Sequence, residues 1–238
     1  MSSDKLLAKF DQSEALAETH HNALEALDEG DSRRSFLKKA GLGGAAVMGS
    51  GALLAALTPA GAAAAKGKGR PPAKFGKGDI GILNYALTLE YLEAAFYNEA
   101  TANKVASGAQ ESAFLKAVTA DENAHVAFLK KALGSKATKA PNVDFGDATS
   151  KARWLPTSMV LENTGVKAYG GQALNISSPA YISAALSIWA VEARHASVAG
   201  LLVKAAPTSI SPEKGPFQTT ATAAEVLKAV EGTGFLVG

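Results

Sequence analysis

Two Glu-x-x-His motifs restrict this chain more than any other feature: Glu122-Asn123-Ala124-His125 and Glu192-Ala193-Arg194-His195. Beyond residue 65 they contain every histidine in the chain. On a helix, residues three apart share a face, so each motif can aim a carboxylate and an imidazole at one metal ion. The flanking periodicity turns those faces inward. Leu115, Val118, Glu122, His125, Val126 and Leu129 make one seam, and Tyr181, Ala185, Ile188, Glu192, His195, Ala199 and Leu202 make the other. An ionised carboxylate in an apolar seam is costly without a cation beside it.

Two further glutamates sit in apolar seams of their own. Glu90 lies among Leu83, Leu87, Ala94 and Tyr97, and Glu162 among Met159, Val166 and Tyr169. An internal repeat emerges, because Glu90 precedes Glu122 by 32 residues and Glu162 precedes Glu192 by 30. Each of the earlier glutamates has a tyrosine seven residues on, Tyr97 and Tyr169, which two helical turns place on the same face. One Glu helix and one Glu-x-x-His helix, taken twice, is the pattern of a carboxylate-bridged pair of metals. Four carboxylates balance two divalent cations, and hard oxygen ligands with one imidazole per metal suit iron, or alternatively manganese. A lone Glu-x-x-His is usually surface polarity; two matched copies with partner glutamates are not. Tyr97 and Tyr169, taken alone, favour core packing, and beside the site they are candidates to orient ligands or intercept oxidising equivalents. Glu93 and Glu99 read as surface groups off the metal layer. Gly165, Gly170 and Gly171 weaken their helix, leaving either room for a small oxidant beside Glu162 or a close helix contact.

The segments around these motifs read as an all-α four-helix bundle spanning 78–206. Asp79 is the expected N-cap of a helix running to about Asn103, and Ser107 with Gln110 reads as a capping box opening a second, which Gly134 ends. A loop of about twenty residues with Pro141, Gly146 and Pro156 follows, long enough to run the length of the bundle. A third helix is expected from about Thr157 to Leu174, and Ser178-Pro179 opens a fourth that Pro207 stops. In the tail 207–238, Thr222 and Glu225 form a capping box for a short helix, with Val226, Leu227, Phe235 and Leu236 packing on the bundle. Two hairpins joined by one long crossover between helices 2 and 3 is the ferritin-like connectivity.

Residues 1–65 read differently. Ser32-Arg33-Arg34-Ser35-Phe36-Leu37-Lys38 fills a twin-arginine export signature, and an uncharged Gly/Ala-rich run, 40–65, follows with small-residue cleavage sites at Ala60 to Ala64. The run is long enough to span a bilayer, but its glycines favour cleavage over a permanent membrane anchor. Residues 1–31, with His20 and His21, read as a solvated extension, and 66–77 as a Pro/Gly/Lys linker. The absence of cysteine excludes disulfides and thiolate ligands, and a net charge of +2 without a basic stripe excludes nucleic acid as a partner. The expected partners are therefore the twin-arginine machinery and a small oxidant, dioxygen or peroxide. Whether copies of the chain form a homo-oligomer stays open.

These residues resemble the secreted, twin-arginine type of ferritin-like domain proteins, similar to the desiccation-associated ones. The resemblance covers 78–206 and extends towards Phe217 and Val230. It rests on Asn84-Tyr85-Ala86-Leu87 with Glu90-Tyr91, on Leu161-Glu162-Asn163-Thr164-Gly165 with Tyr169, and on Val191-Glu192-Ala193-Arg194-His195. It implies Glu90 and Glu162 as terminal ligands, Glu122 and Glu192 as bridging ligands, and His125 and His195 as nitrogen ligands. The implied activity is oxidation of Fe(II) or consumption of peroxide outside the cytoplasm, in stress protection. A dimanganese catalase-like enzyme and a non-catalytic protective metal binder of the envelope are the alternatives.

Overall fold

The computed structural model describes residues 69–203 and 218–237. The export signature, the uncharged run and Pro207 lie outside the described residues. Four long helices carry the fold: α1 (Gly78–Ala102), α2 (Gly108–Leu133), α3 (Trp154–Gln172) and α4 (Pro179–Leu202). A short α5 (Ala223–Thr233) follows, flanked by a two-residue ladder of β1 (Asn142–Val143) and β2 (Leu236–Val237). Among the described residues, no helix is long and apolar enough to cross a membrane.

Two apolar clusters fill the bundle on either side of a polar layer. Ile82, Leu83, Leu87, Leu129, Leu133, Ala185 and Ile188 belong to one. Phe96, Ala100, Phe114, Leu115, Val118, Trp154, Leu161 and Ala199 belong to the other. Followed in chain order, α1 and α4 run from the first cluster to the second, whereas α2 and α3 run back. Each hairpin is therefore antiparallel, as its short internal turn requires. The long connection must then travel the full bundle length between the end of α2 and the start of α3. It does so along α1. The Asn84 amide donates to Lys136 O (3.0 Å) near one end, and Asn103 donates to the Thr149 hydroxyl (3.1 Å) at the other. Midway, Phe145 packs edge-on against Phe96 at 5.4 Å between centroids. This cover explains why α1 buries residues nearly all round, while α2 keeps one face in solvent.

Several helix ends differ from their sequence-based expectation. α1 starts one residue before Asp79, with Lys77 at the N-cap, because Gly76 and Gly78 take positive φ (111° and 58°) and turn the chain in early. Freed from capping, Asp79 accepts the backbone N–H groups of Ser177 (2.9 Å) and Ser178 (2.8 Å), tying α1 to the start of α4. Ser107 stands at the N-cap of α2, but the expected capping box with Gln110 does not form: the Ser107 side chain makes no capping bond, and its N–H is accepted by the Glu111 carboxylate at 2.7 Å. α3 begins at Trp154, three residues before Thr157, because Pro156 falls in the first turn where its missing N–H costs nothing. Both bonds of the Thr222–Glu225 capping box are present. The glycines of α3 serve a contact other than the expected ones. A Cβ on Gly171 would lie 1.8 Å from Ala221 O, and one on Gly170 would lie 2.9 Å from Thr220 Cγ2. The segment before α5 thus lies directly on the α3 backbone, where the Ala221 N–H donates to Lys167 O (3.1 Å). Val226, Leu227, Phe235 and Leu236 follow it onto the bundle.

Candidate metal centre

The polar layer between the two apolar clusters consists of Glu90 on α1, Glu122 and His125 on α2, Glu162 on α3, and Glu192 and His195 on α4. The structure brings all six sequence-nominated residues together. The four glutamates are 0 % exposed. Their donor atoms fall into two groups, each within 4.8 Å of one another: Glu90, Glu122, His125 and Glu192 in one, and Glu122, Glu162, Glu192 and His195 in the other. Glu122 and Glu192 are common to both.

The two halves meet through single atoms. His125 Nδ1 stands 3.2 Å from Glu90 Oε2, 3.2 Å from Glu122 Oε2 and 3.3 Å from Glu192 Oε1. His195 Nδ1 stands 3.1 Å from Glu122 Oε1 and 3.3 Å from Glu162 Oε2. Glu122 therefore turns one oxygen to each imidazole. Several of these contacts are close without being hydrogen bonds in direction: Glu122 Oε1, Glu162 Oε2, both Glu192 oxygens and His195 Nδ1 are buried with no hydrogen-bond partner. Native interiors rarely leave such atoms orphaned. Adjacent ligands of an octahedral ion bound at about 2.1 Å are about 3.0 Å apart, close to the separations seen here. Donor set, burial and spacing all fit a pair of metal ions.

The electrostatics record the same surplus of negative charge. Burial, reinforced by the Glu122 charge, pushes Glu90 up to about 8. Burial also raises Glu162 and carries Glu192 well above the usual carboxylate range. Glu122 alone goes down, to about 2: burial opposes this, but contacts with His125 and His195 prevail. Burial would likewise lower both imidazoles, yet the carboxylates around them hold His125 up at about 12 and His195 at about 11. In the metal-free protein the imidazoles serve as the cations that the carboxylates require.

Both tyrosines reach across the bundle. The Tyr97 hydroxyl on α1 donates to Glu162 Oε1 on α3 and lies 2.6 Å from the Ser158 hydroxyl, while Tyr169 on α3 donates to Glu90 Oε1 on α1. Each tyrosine thus orients the glutamate of the opposite hairpin, so their role exceeds core packing. Three participants escaped the sequence reading. Asp121 Oδ2 holds His195 Nε2 at 3.1 Å, and its signal was its place immediately before the first motif. Ser158 lies one turn before Glu162 on the same face. Glu93, expected at the surface, is 3 % exposed with an acid group raised well above its usual range by burial and then by Glu192. Glu99 is half-buried and accepts the Thr149 hydroxyl at 2.6 Å. Gly165 does not hold open a space beside Glu162; a Cβ there would lie 2.6 Å from Glu192 Oε2 and 3.3 Å from Glu93 Oε1.

A groove of about 540 Å³ between α2 and α4 leads from solvent to this layer, with Asp121, Arg194 and His195 in its wall. Comparison with curated proteins returned no match. The family described as ferritin-like domain matches residues 78–205, more than half of the chain, over the four helices that carry the cluster. The chain belongs to the ferritin-like domain family.

Proposed function

We propose that this protein holds a carboxylate-bridged pair of iron ions and uses it to oxidise Fe(II) or consume peroxide in stress protection after export through the twin-arginine route. One observation carries the reading: two four-residue donor sets share Glu122 and Glu192 in a fully buried layer. Two iron ions, when bound, supply the two electrons that reduce dioxygen or peroxide. Glu122 and Glu192 would bridge, Glu90 and Glu162 would each serve one ion, and His125 and His195 would supply nitrogen. Manganese, in a catalase-like enzyme, would use the same donors.

The remaining residues prepare that set. Asp121 accepts from His195 Nε2, which fixes the ring so that Nδ1 faces Glu122 and Glu162. An ion held there would take the place of a proton on Nδ1. Tyr97 and Tyr169 fix one oxygen each of Glu162 and Glu90, leaving the other oxygen free for the ion. The apolar clusters keep bulk water out, and the α2–α4 groove, with the half-exposed Asp121 carboxylate in its wall, suits the approach of a small cation or peroxide.

Export is supported by residues 32–65 alone. Replacing Arg33 and Arg34 with lysine is expected to retain precursor in the cytoplasm, and undiminished export would remove that part of the proposal. The site is tested by the metal content of natively exported protein, with peroxide and dioxygen consumption measured on the same sample. Two ions per chain with turnover support the enzyme. Two ions without turnover leave a non-catalytic protective metal binder.

A further inference from the structure

We infer that Glu93 is a seventh protein ligand, entering the metal pair from the side where α1 faces α3. The inference rests on the dinuclear reading above. Glu93 sits one turn beyond Glu90 on α1, buried to 3 % exposure. An ionised carboxylate buried this far is costly without a cation beside it, and the six-residue set gives it no task.

Its surroundings point it at the pair. Its Oε1 and Glu192 Oε2 stand 3.3 Å and 2.6 Å from the position a Gly165 Cβ would take, so the carboxylate reaches the level of a shared glutamate. In the internal repeat, Glu93 stands three residues after Glu90, and the residue three after Glu162 is Gly165. The repeat is therefore broken by an acid on one helix and an absent side chain at the matching place on the other. The two features fit together: the space a Gly165 Cβ would need is the space taken by Glu192 Oε2 and Glu93 Oε1. Gly165 lets the bridging Glu192 and the extra carboxylate share one corner of the site. Beside them lies a cavity of about 10 Å³, lined by Glu93, Leu89, Leu161, Thr164, Gly165 and Val230, with room for about one water. Both histidines come from α2 and α4, so on the α1–α3 side only Glu90 and Glu162 otherwise supply donors. A further hard oxygen there suits six-coordinate iron or manganese and makes the site poorer for tetrahedral zinc.

The test is anaerobic titration of the metal-stripped full chain with Co(II), for the parent and Glu93→Gln, following the visible absorption and competing with a chelator. The parent is expected to take two ions. Glu93→Gln is expected to bind at least one of them tenfold more weakly or worse, with stronger visible absorption because coordination number falls. The same variant, free of metal, is expected to melt higher than the parent, because one acid has gone from a buried group of glutamates. Glu93→Asp serves if Glu93→Gln does not fold, with a smaller loss of affinity and the same spectral trend. Unchanged affinity and spectrum in a folded variant, whatever its melting temperature, would overturn the inference while leaving the dinuclear site standing. A parent that binds no Co(II) would overturn both.

Discussion

The two hairpins lay down nearly the same metal half-site, and their differences show where the symmetry of the repeat stops. In the α1–α2 half, His125 meets Glu90, Glu122 and Glu192; in the α3–α4 half, His195 meets Glu122 and Glu162. The tyrosines cross reciprocally from one half to the other. The supports do not repeat. His195 is held from behind by Asp121, whereas the residue matching Asp121 on α4 is Val191, so His125 has no such carboxylate. The Tyr97 hydroxyl touches both Ser158 and Glu162, whereas the residue matching Ser158 on α1 is Ala86. Glu93 faces Gly165. Direct ligands follow the repeat because both ions need the same donors, while supporting residues follow each helix's own neighbours.

Metal removal should produce the largest effect, because it strips both halves at once. Two ions at about a hundredfold excess over Kd together add about 5 kcal/mol, or roughly 10 °C or more in melting temperature for a domain of this size. Calorimetry with and without chelator measures this, and equal melting temperatures would mean that the carboxylates are not compensated by metal. The halves should then separate. Asp121→Ala is expected to weaken metal binding in the His195 half by about 10- to 100-fold, because ligand orientation depends on the partner behind it. The His125 half should keep its affinity. Loss of both ions to the same degree would break the distinction drawn between them.

Protonation provides a subtler contrast. Glu90 in the metal-free protein is raised to about 8, so its stabilising effect is complete below the ordinary carboxylate range and is lost as pH climbs towards 8. His125 and His195, raised to about 12 and about 11, contribute fully below the ordinary imidazole value and lose that contribution gradually above it. Glu122, lowered to about 2, acts in the opposite sense only in strong acid. Metal-free protein should therefore lose stability from about pH 5 to pH 9, since all of these raised groups act in the same direction. Metal-loaded protein should gain over the lower part of that range, because ions displace protons from the same atoms. Melting temperature against pH, with and without metal, should give slopes of opposite sign. The smallest effects belong to the hydroxyls. Tyr97→Phe and Tyr169→Phe should each cost about 1–3 kcal/mol, with Tyr97→Phe the larger because Ser158 also loses a partner. Chemical denaturation of the two variants ranks them.

The helices and the six central residues were legible because periodicity and charge cost act along one helix at a time. Glutamates and histidines in apolar stripes need no knowledge of the partner helix to look anomalous. What escaped depended on contacts between elements. Glu93 was misassigned because its burial comes from α3, at the missing side chain of Gly165, and from Val230 of α5. Asp121 points at a helix seventy residues further on. Asp79 left the N-cap because Gly76 and Gly78 turned the chain in earlier. The β1–β2 ladder pairs Asn142 with Val237 and Val143 with Leu236, stretches too short and too far apart to register as strands in sequence. Gly170 and Gly171 had a packing role, but their partner was the segment before α5, not another helix.

The central claim is that two ions share Glu122 and Glu192. Metal stoichiometry per chain in Glu122→Ala, Glu192→Ala, Glu90→Ala and Glu162→Ala, each reconstituted with Fe(II) under anaerobic conditions, tests it most directly. Loss of a shared carboxylate should empty or scramble both positions, leaving well under one ion per chain. Loss of Glu90 or Glu162 should weaken mainly one position and leave about one ion. Near-full occupancy by two ions in all four variants would contradict the account.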